Sequence, residues 1–170
     1  MRGLAAQPVG IVAHTVRPAS PVDASGLAAI DTRVNISPWT ETQFAAACAG
    51  GEGNHAWALV VEEDGRLEGF VVVSQVLDEA TILSIAIAPP QQRRGLGRLL
   101  LSAALARAQR DGAQRCLLEV RETNAAARRL YTENGFALDG VRKNYYPCEG
   151  GREDAVLMSK ELKGTANECA

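Results

Sequence analysis

Several absences narrow this chain before any motif is read. Its four cysteines, Cys48, Cys116, Cys148 and Cys169, are scattered without a Cys-x-x-Cys pair, and only His14 and His55 accompany them. No metal site is therefore expected, and Cys116, in an apolar run with no histidine near it in sequence, reads as a small core residue rather than a nucleophile. In a reducing compartment all four would be free thiols. No apolar run approaches the roughly 18 residues of a membrane helix. The opening residues, with one arginine before Gly3-Leu4-Ala5-Ala6 and an early Pro8, lack a signal-peptide core. A cytoplasmic protein without membrane contact is the expectation. Positive charge is not in excess either: a net charge of −2 argues against nucleic-acid binding driven by bulk charge.

What is present suits one compact domain over residues 1–170, with its core at about 10–162 and a flexible polar tail at 163–170. A hydrophobic content of 46% suffices for a core at this length. Strand patterns fall at Gly10 to Val16, Ala56 to Glu62, Leu67 to Gln75, Ala80 to Ile87 and Arg115 to Val120. A final strand pair, Phe136 to Lys143 and Asp154 to Leu162, is joined by a long loop. Glu63-Asp64-Gly65-Arg66 is a hairpin signal. Helices are expected from Pro21 to Arg33 and from Thr40 to Ala49, the latter opened by a capping box of Thr40 with Gln43. Another runs from Leu96 to Gln109, with Leu96, Leu99, Leu100, Ala103 and Ala104 on one face, and the last from Asn124 to Asn134, closed by Gly135. The order demands an α/β fold, a mixed central sheet of about six to seven strands flanked by helices.

The most informative stretch runs from Ile82 to Gly97. An apolar strand ends in Pro89-Pro90, and Gln92-Arg93-Arg94-Gly95-Leu96-Gly97 then opens a leucine- and alanine-rich helix. Unpaired N–H groups at a helix start, the helix dipole and the charges of Arg93, Arg94 and Arg98 together suit a polyanion such as a pyrophosphate. A Walker loop would need a lysine here, and a dinucleotide fingerprint would need glycine where Leu100 stands. What remains, Gln92-x-x-Gly95-x-Gly97 between a strand and a helix, resembles the acetyl-CoA motif of the GNAT superfamily of N-acetyltransferases. The plainer alternative is an ordinary turn with solvated arginines.

Candidate chemistry lies further on. Glu119 is a carboxylate in the apolar run that includes Cys116-Leu117-Leu118, able to take a proton from an ammonium group directly or through water. It could equally be a strand-end glutamate paired with Arg121 or Arg94. Tyr131 follows Asn124 by two helical turns, so both can address one ligand. A phenol with a pKa near ~10 is a suitable donor to a departing thiolate, although such a ring could simply pack under Phe136.

The second half carries a closer resemblance. Leu118-Glu119-Val120-Arg121, Asn124-Ala125-Ala126-Ala127, Leu130-Tyr131 and Asn134-Gly135-Phe136 are similar to segments of the RimI family of bacterial N-terminal acetyltransferases. So are Arg142-Lys143-Asn144-Tyr145-Tyr146-Pro147, Gly151-Arg152-Glu153-Asp154-Ala155, Pro38-Trp39-Thr40 and Leu77-Asp78-Glu79-Ala80-Thr81. The chain departs from the family at an extra N-terminal segment, at Ala88-Pro89-Pro90 and at Cys148-Glu149-Gly150.

The resemblance implies a GNAT fold with acetyl-CoA at a splayed strand pair. It also implies acetyl transfer, in a ternary complex, to the N-terminal alanine of ribosomal small-subunit protein eighteen. Glu119 would be the base and Tyr131 the acid. Ile85, Ala86 and Ile87 would hold the pantetheine arm, with a backbone N–H near Ile87 polarising the thioester. Arg93, Arg94, Gly95, Leu96, Gly97 and Arg98 would cradle the pyrophosphate, and Asn124 would touch CoA. Trp39 and Tyr145 would frame the acceptor peptide, although Trp39 could instead be a staple for the second helix. An acetyltransferase of small amines or lysine side chains and a noncatalytic acetyl-CoA-binding module are the competing readings.

Overall fold

The valine-rich runs owe their continuous apolar character to a sheet covered on both faces. In the computed structural model, which describes residues 13–162, the strands are β1 (His14–Pro18), β2 (Ala56–Glu63), β3 (Arg66–Val76), β4 (Glu79–Ile87), β5 (Arg115–Arg121), β6 (Ala137–Cys148) and β7 (Gly151–Glu161). The helices are α1 (Ala24–Val34), α2 (Glu41–Cys48), α3 (Leu96–Arg110) and α4 (Ala125–Glu133). One seven-stranded sheet runs β1-β2-β3-β4-β5-β7-β6, antiparallel except where β4 lies parallel to β5. Alternate side chains of β2 and β3 enter two cores. Val60, Phe70 and Val72 pack with Leu27, Ile30 and Phe44 of α1 and α2. Leu59, Val61, Val71 and Val73 pack with Leu100, Leu101, Ala104 and Ala108 of α3.

Local signals act as the sequence predicts at two places. Asp64 (φ 50°) and Gly65 (φ 75°) turn left-handed between β2 and β3, as a two-residue hairpin requires. At the start of α2, Gln43 N–H donates to Thr40 Oγ1 (3.3 Å), and Thr40 N–H donates to Gln43 Oε1 (2.8 Å). Trp39, just before the cap, lies 5.5 Å from Phe44 between ring centroids, the staple geometry that fixes a helix entry.

Other expectations need correction. The first strand is His14–Pro18, and the expected residues 10–12 lie outside the described residues, as do the N-terminal extension and the 163–170 tail. Pro21–Asp23 forms a single 3-10 turn before α1, because Asp23 accepts from Ser20 N–H (2.8 Å) and from Arg17 through both carboxylate oxygens (2.9 Å each). On α3 the buried stripe is Leu96, Leu100, Leu101, Ala104 and Ala108, while Leu99 is 40% exposed.

The expected long loop after Lys143 is mostly strand. β6 continues to Cys148 and returns through Glu149-Gly150. Between the pairs Arg142↔Ala155 and Tyr146↔Glu153, however, β6 carries extra residues and bulges outward. Asp154 compensates for the interrupted ladder: its carboxylate accepts from Asn144 N–H and Lys143 Nζ, each at 2.8 Å.

The feature that makes room for a site is where β4 and β5 part. Their register runs from Glu79↔Arg115 to Ile82↔Leu118 and stops. On its other edge, β4 pairs Ser84 with Val72 and Ile82 with Val73, which leaves Leu83 as an extra residue. Such a bulge bends its strand and increases its twist, here at the point where β4 leaves β5. Gly69 allows β3 to stay close beyond the bulge, since a Cβ there would stand 2.5 Å from Ile87 Cδ1 and 2.8 Å from the Ala86 carbonyl oxygen.

Candidate active site

The gap between the diverging strands is a cleft of about 600 Å³. Leu83, Ser84 and Ile85 line one wall, and Glu119, Val120 and Arg121 line the other. Asn124, Ala127 and Tyr131 of the α4 segment contribute, with Tyr145 and Tyr146 from β6 and the segment from Asn35 to Trp39 at the mouth. The structure thus gathers Ile85, Glu119, Asn124, Tyr131, Trp39 and Tyr145 at one place. Ala86 is buried in the core beneath α1 and α2 and its carbonyl faces β3, so within Ile85–Ile87 the flanking isoleucines are the ones whose backbone faces the cleft side.

Next to this cleft, β4 passes through a 3-10 turn (Pro89–Gln91) into α3. Arg93 (φ 63°) and Gly95 (φ 82°) are both left-handed. Alternating backbone handedness of this kind turns successive N–H groups into a concave anion nest, and here it sits at a helix start. Gln92 Nε2 donates to the Ile87 carbonyl (3.1 Å), tying the turn to the end of β4. Leu96 is buried as an anchor. Gly97 lets α3 approach its neighbours, because a Cβ there would meet Leu130 Cδ2 at 3.4 Å. Arg93 and Arg98 are exposed. Arg94 is held by Gln91 and stands 3.7 Å from Glu63, so it is partly neutralised.

Glu119 is paired neither with Arg121 nor with Arg94. Its Oε1 lies 3.0 Å from Arg142 Nη1, with the Glu119 side chain 32% exposed. Arg121 is taken by Glu153 (2.8 Å), by the Pro147 carbonyl (2.9 Å) and by the face of Tyr146 (4.5 Å to its centroid). The pairing escaped the sequence reading because it spans β7: Glu119 is opposite Leu157 and Arg142 is opposite Ala155.

Tyr131 has two sets of neighbours. It packs edge-on against Phe136 (centroids 5.7 Å apart) and still lines the cleft. Burial pushes its phenol well above the ordinary range, with nearby Cys116 and Tyr146 adding to the effect. The group therefore stays protonated at neutral pH, as a proton donor must. Asn124 caps α4 by accepting from Ala127 N–H (3.1 Å), which fixes the cleft end of the helix. Cys116 is a core residue, its thiol pushed up to about 12 by burial.

At the mouth, fully buried Asp31 accepts from Trp39 N–H (2.7 Å) and from Asn35 Nδ2, pinning both ends of the α1–α2 connection. That connection carries Ile36, 71% exposed. The sequence reading missed Asn35, Ile36, Ser37, Leu83 and Ser84. For Asn35, Ile36 and Ser37 the only local signal is an apolar residue in a polar turn, which is too common to select them, and Leu83 and Ser84 carry none beyond their place in β4.

A family model described as the acetyltransferase (GNAT) family matches residues 25–136. The chain belongs to the GNAT acetyltransferase family. It is accordingly an acetyl-CoA-dependent N-acetyltransferase, a mixed α/β enzyme of the GNAT fold. It is 39% identical over 130 residues to the ribosomal protein bS18-alanine N-acetyltransferase of Escherichia coli strain K12, covering 76% of this chain and 85% of that one. The enzyme of that name from Salmonella typhimurium is 38% identical over 146 residues, covering 86% and 96%. The crystal structure of the ribosomal-protein-S18-alanine N-acetyltransferase from Escherichia coli superposes with a TM-score of 0.83 at 35% identity, covering 93% of this chain and 99% of that one.

The residues present fit the donor of a GNAT enzyme. Beyond Ile82, β4 has no strand partner on its β5 side among the described residues, which leaves backbone groups for an extended ligand arm. The left-handed turn at Arg93 and Gly95 suits a diphosphate. No cluster able to hold a metal ion occurs among the described residues, nor is any helix there long and apolar enough to cross a membrane.

Proposed function

We propose that this enzyme acetylates the N-terminal alanine amine of a ribosomal small-subunit protein in a ternary complex with acetyl-CoA. The observation that carries this reading is the parting of β4 and β5 at Ile82↔Leu118, which puts the free edge of β4, Glu119 and Tyr131 around one cleft. The likeness to the bS18-alanine N-acetyltransferases supports the choice of acceptor.

In this reading the pantetheine arm lies along Ile85, Ala86 and Ile87, and Asn124 touches CoA at the start of α4. Arg93, Arg94, Gly95, Leu96, Gly97 and Arg98 receive the pyrophosphate, with Arg94 sharing its charge with Glu63. The Ile87 backbone N–H polarises the thioester carbonyl. Glu119 accepts a proton from the acceptor ammonium, directly or through water, and the freed amine forms its C–N bond to the acetyl carbon. As the C–S bond breaks, Tyr131 delivers its phenolic proton to the sulfur, and the second proton shed by the nitrogen as it becomes an amide restores the phenol through solvent. Trp39 and Tyr145 flank the entering chain, which must be extended to reach the cleft.

The test is release of free CoA from acetyl-CoA with a peptide bearing the ribosomal protein's free N-terminal alanine. The same peptide with a blocked amine and a panel of small amines and lysine peptides are the comparisons. Turnover confined to the free alanine amine is the expected result. Turnover on small amines alone would overturn the acceptor while leaving the cofactor in place.

A further inference from the structure

The ion pair between Glu119 and Arg142 occupies the position where the proposed mechanism needs an acceptor ammonium. Three observations describe it. First, the pair is close (3.0 Å) but far from sealed, with side chains 32% and 48% exposed. Exposed pairs of this kind are weak and readily exchanged. Second, Arg142 has two partners at once: while it pairs with Glu119, its guanidinium carbon also lies 4.6 Å from the centroid of Tyr145, a stacking geometry that can retain a cation without the carboxylate. Tyr145 is held in place by the bulge, since Arg152 Nη1 donates to its carbonyl (3.1 Å) and Asp154 fixes the preceding Asn144 N–H (2.8 Å). Third, the arginines that line the cleft are bound elsewhere, Arg121 to Glu153 and Arg152 to the carbonyls of Asn144 and Tyr145, which leaves Arg142 as the cation on Glu119.

We propose that Arg142 is a positioning residue that acts as a resident counter-cation on Glu119, yielding the carboxylate when the acceptor ammonium enters while the Tyr145 ring, on which it already stacks, retains it. The proposal rests on Glu119 being the base. Its consequence is selectivity for a cationic amine over water. While Arg142 holds the carboxylate, Glu119 is not available to take a proton from a water molecule. Without that restraint, a water oxygen could form the C–O bond to the acetyl carbon as the C–S bond breaks, giving acetate and CoA, with one water proton passing to Glu119 and the other ending on the CoA sulfur. An ammonium competes for the carboxylate by charge, and water does not.

The experiment compares wild type, Arg142→Ala, Arg142→Lys and Glu119→Gln at saturating acetyl-CoA, reading acceptor kcat and KM together with CoA release in the absence of acceptor. Arg142→Ala is expected to lower acceptor KM by about two- to fivefold, the range that loss of an exposed ion pair supports, and to raise acceptor-independent CoA release. Millimolar ethylguanidinium should reverse both effects, and Arg142→Lys should behave as wild type. Damaged packing would neither increase a side reaction nor respond to an added guanidinium. An Arg142→Ala enzyme with unchanged KM and unchanged hydrolysis, in a background where Glu119→Gln is inactive, overturns this proposal alone. Full turnover by Glu119→Gln would overturn the base assignment itself.

Discussion

Glu153 of β7 reaches Arg121 of β5 at 2.8 Å, and its second oxygen accepts from the Thr123 hydroxyl at 2.6 Å. One carboxylate thus ties β5 to the turn that launches α4. The Gly-Arg-Glu-Asp and Asn-Tyr-Tyr-Pro motifs prove to be facing parts of one brace, since Asp154 performs the corresponding task for Lys143 and Asn144.

That brace gives an acid limit to stability. The bonds from Thr123 and Arg121 hold the Glu153 carboxyl below its ordinary range, and Lys143 and the Asn144 N–H do the same for Asp154. Arg17 acts likewise on Asp23. Groups lowered in the folded state stabilise it above their unfolded values, near about 4, and lose that contribution as pH falls through the folded ones. Thermal unfolding followed by circular dichroism should show Tm level from neutral pH to about 5 and falling below about 4. Glu153→Gln should lower Tm at neutral pH by several degrees and weaken the acid dependence.

Tyr131→Phe keeps the edge-on contact with Phe136 and removes only the phenolic proton. If that proton goes to the departing sulfur, kcat should fall by about a hundredfold or more, with acetyl-CoA affinity by calorimetry and Tm nearly unchanged. A large drop in Tm instead would assign the hydroxyl a structural role.

For Glu119→Gln the expected pattern is a loss of kcat and kcat/KM at neutral pH without a matching loss of acetyl-CoA affinity. Equilibrium binding of CoA measured beside steady-state rates separates a proton acceptor from a group that shapes the donor site.

Gly69→Ala forces a methyl to within 2.5 Å of Ile87 Cδ1 and 2.8 Å of a backbone oxygen that has little freedom to retreat. Overpacking of this kind costs about 1–3 kcal/mol, and the displaced atoms belong to the strand proposed to hold the pantetheine arm. Chemical denaturation should register the destabilisation, and the KM for acetyl-CoA should rise even though residue 69 lies behind β4.

Cys116 should resist alkylation at pH 8, because burial keeps its thiol protonated there. Peptide mapping after iodoacetamide treatment should find it modified only once the protein is unfolded.

What the sequence made legible was local. Thr40 with Gln43 and Asp64 with Gly65 are decided by neighbours a few residues apart, and both formed as read. The glycine turn was legible because backbone handedness at Gly95 is a property of that residue. The β4 bulge was not, since Leu83 is an unremarked leucine whose position depends on register with β3. The partner of Glu119 was hidden for the same reason: it becomes visible only once β7 is known to lie between β5 and β6. The β6 bulge reads as a loop in the sequence because a strand that carries extra residues loses its alternation.

Four residue pairs, ending at Ile82↔Leu118, are the whole ladder between β4 and β5. Mechanically the sheet is two panels, β1 to β4 and β5 to β6, joined along a short seam with α3 as the covalent crossing. A ligand bonded along the open length of β4 and touching α4 would stitch the panels where the protein itself does not. Amide exchange in β5, β7 and β6 should therefore slow on donor binding, far beyond the residues the donor touches.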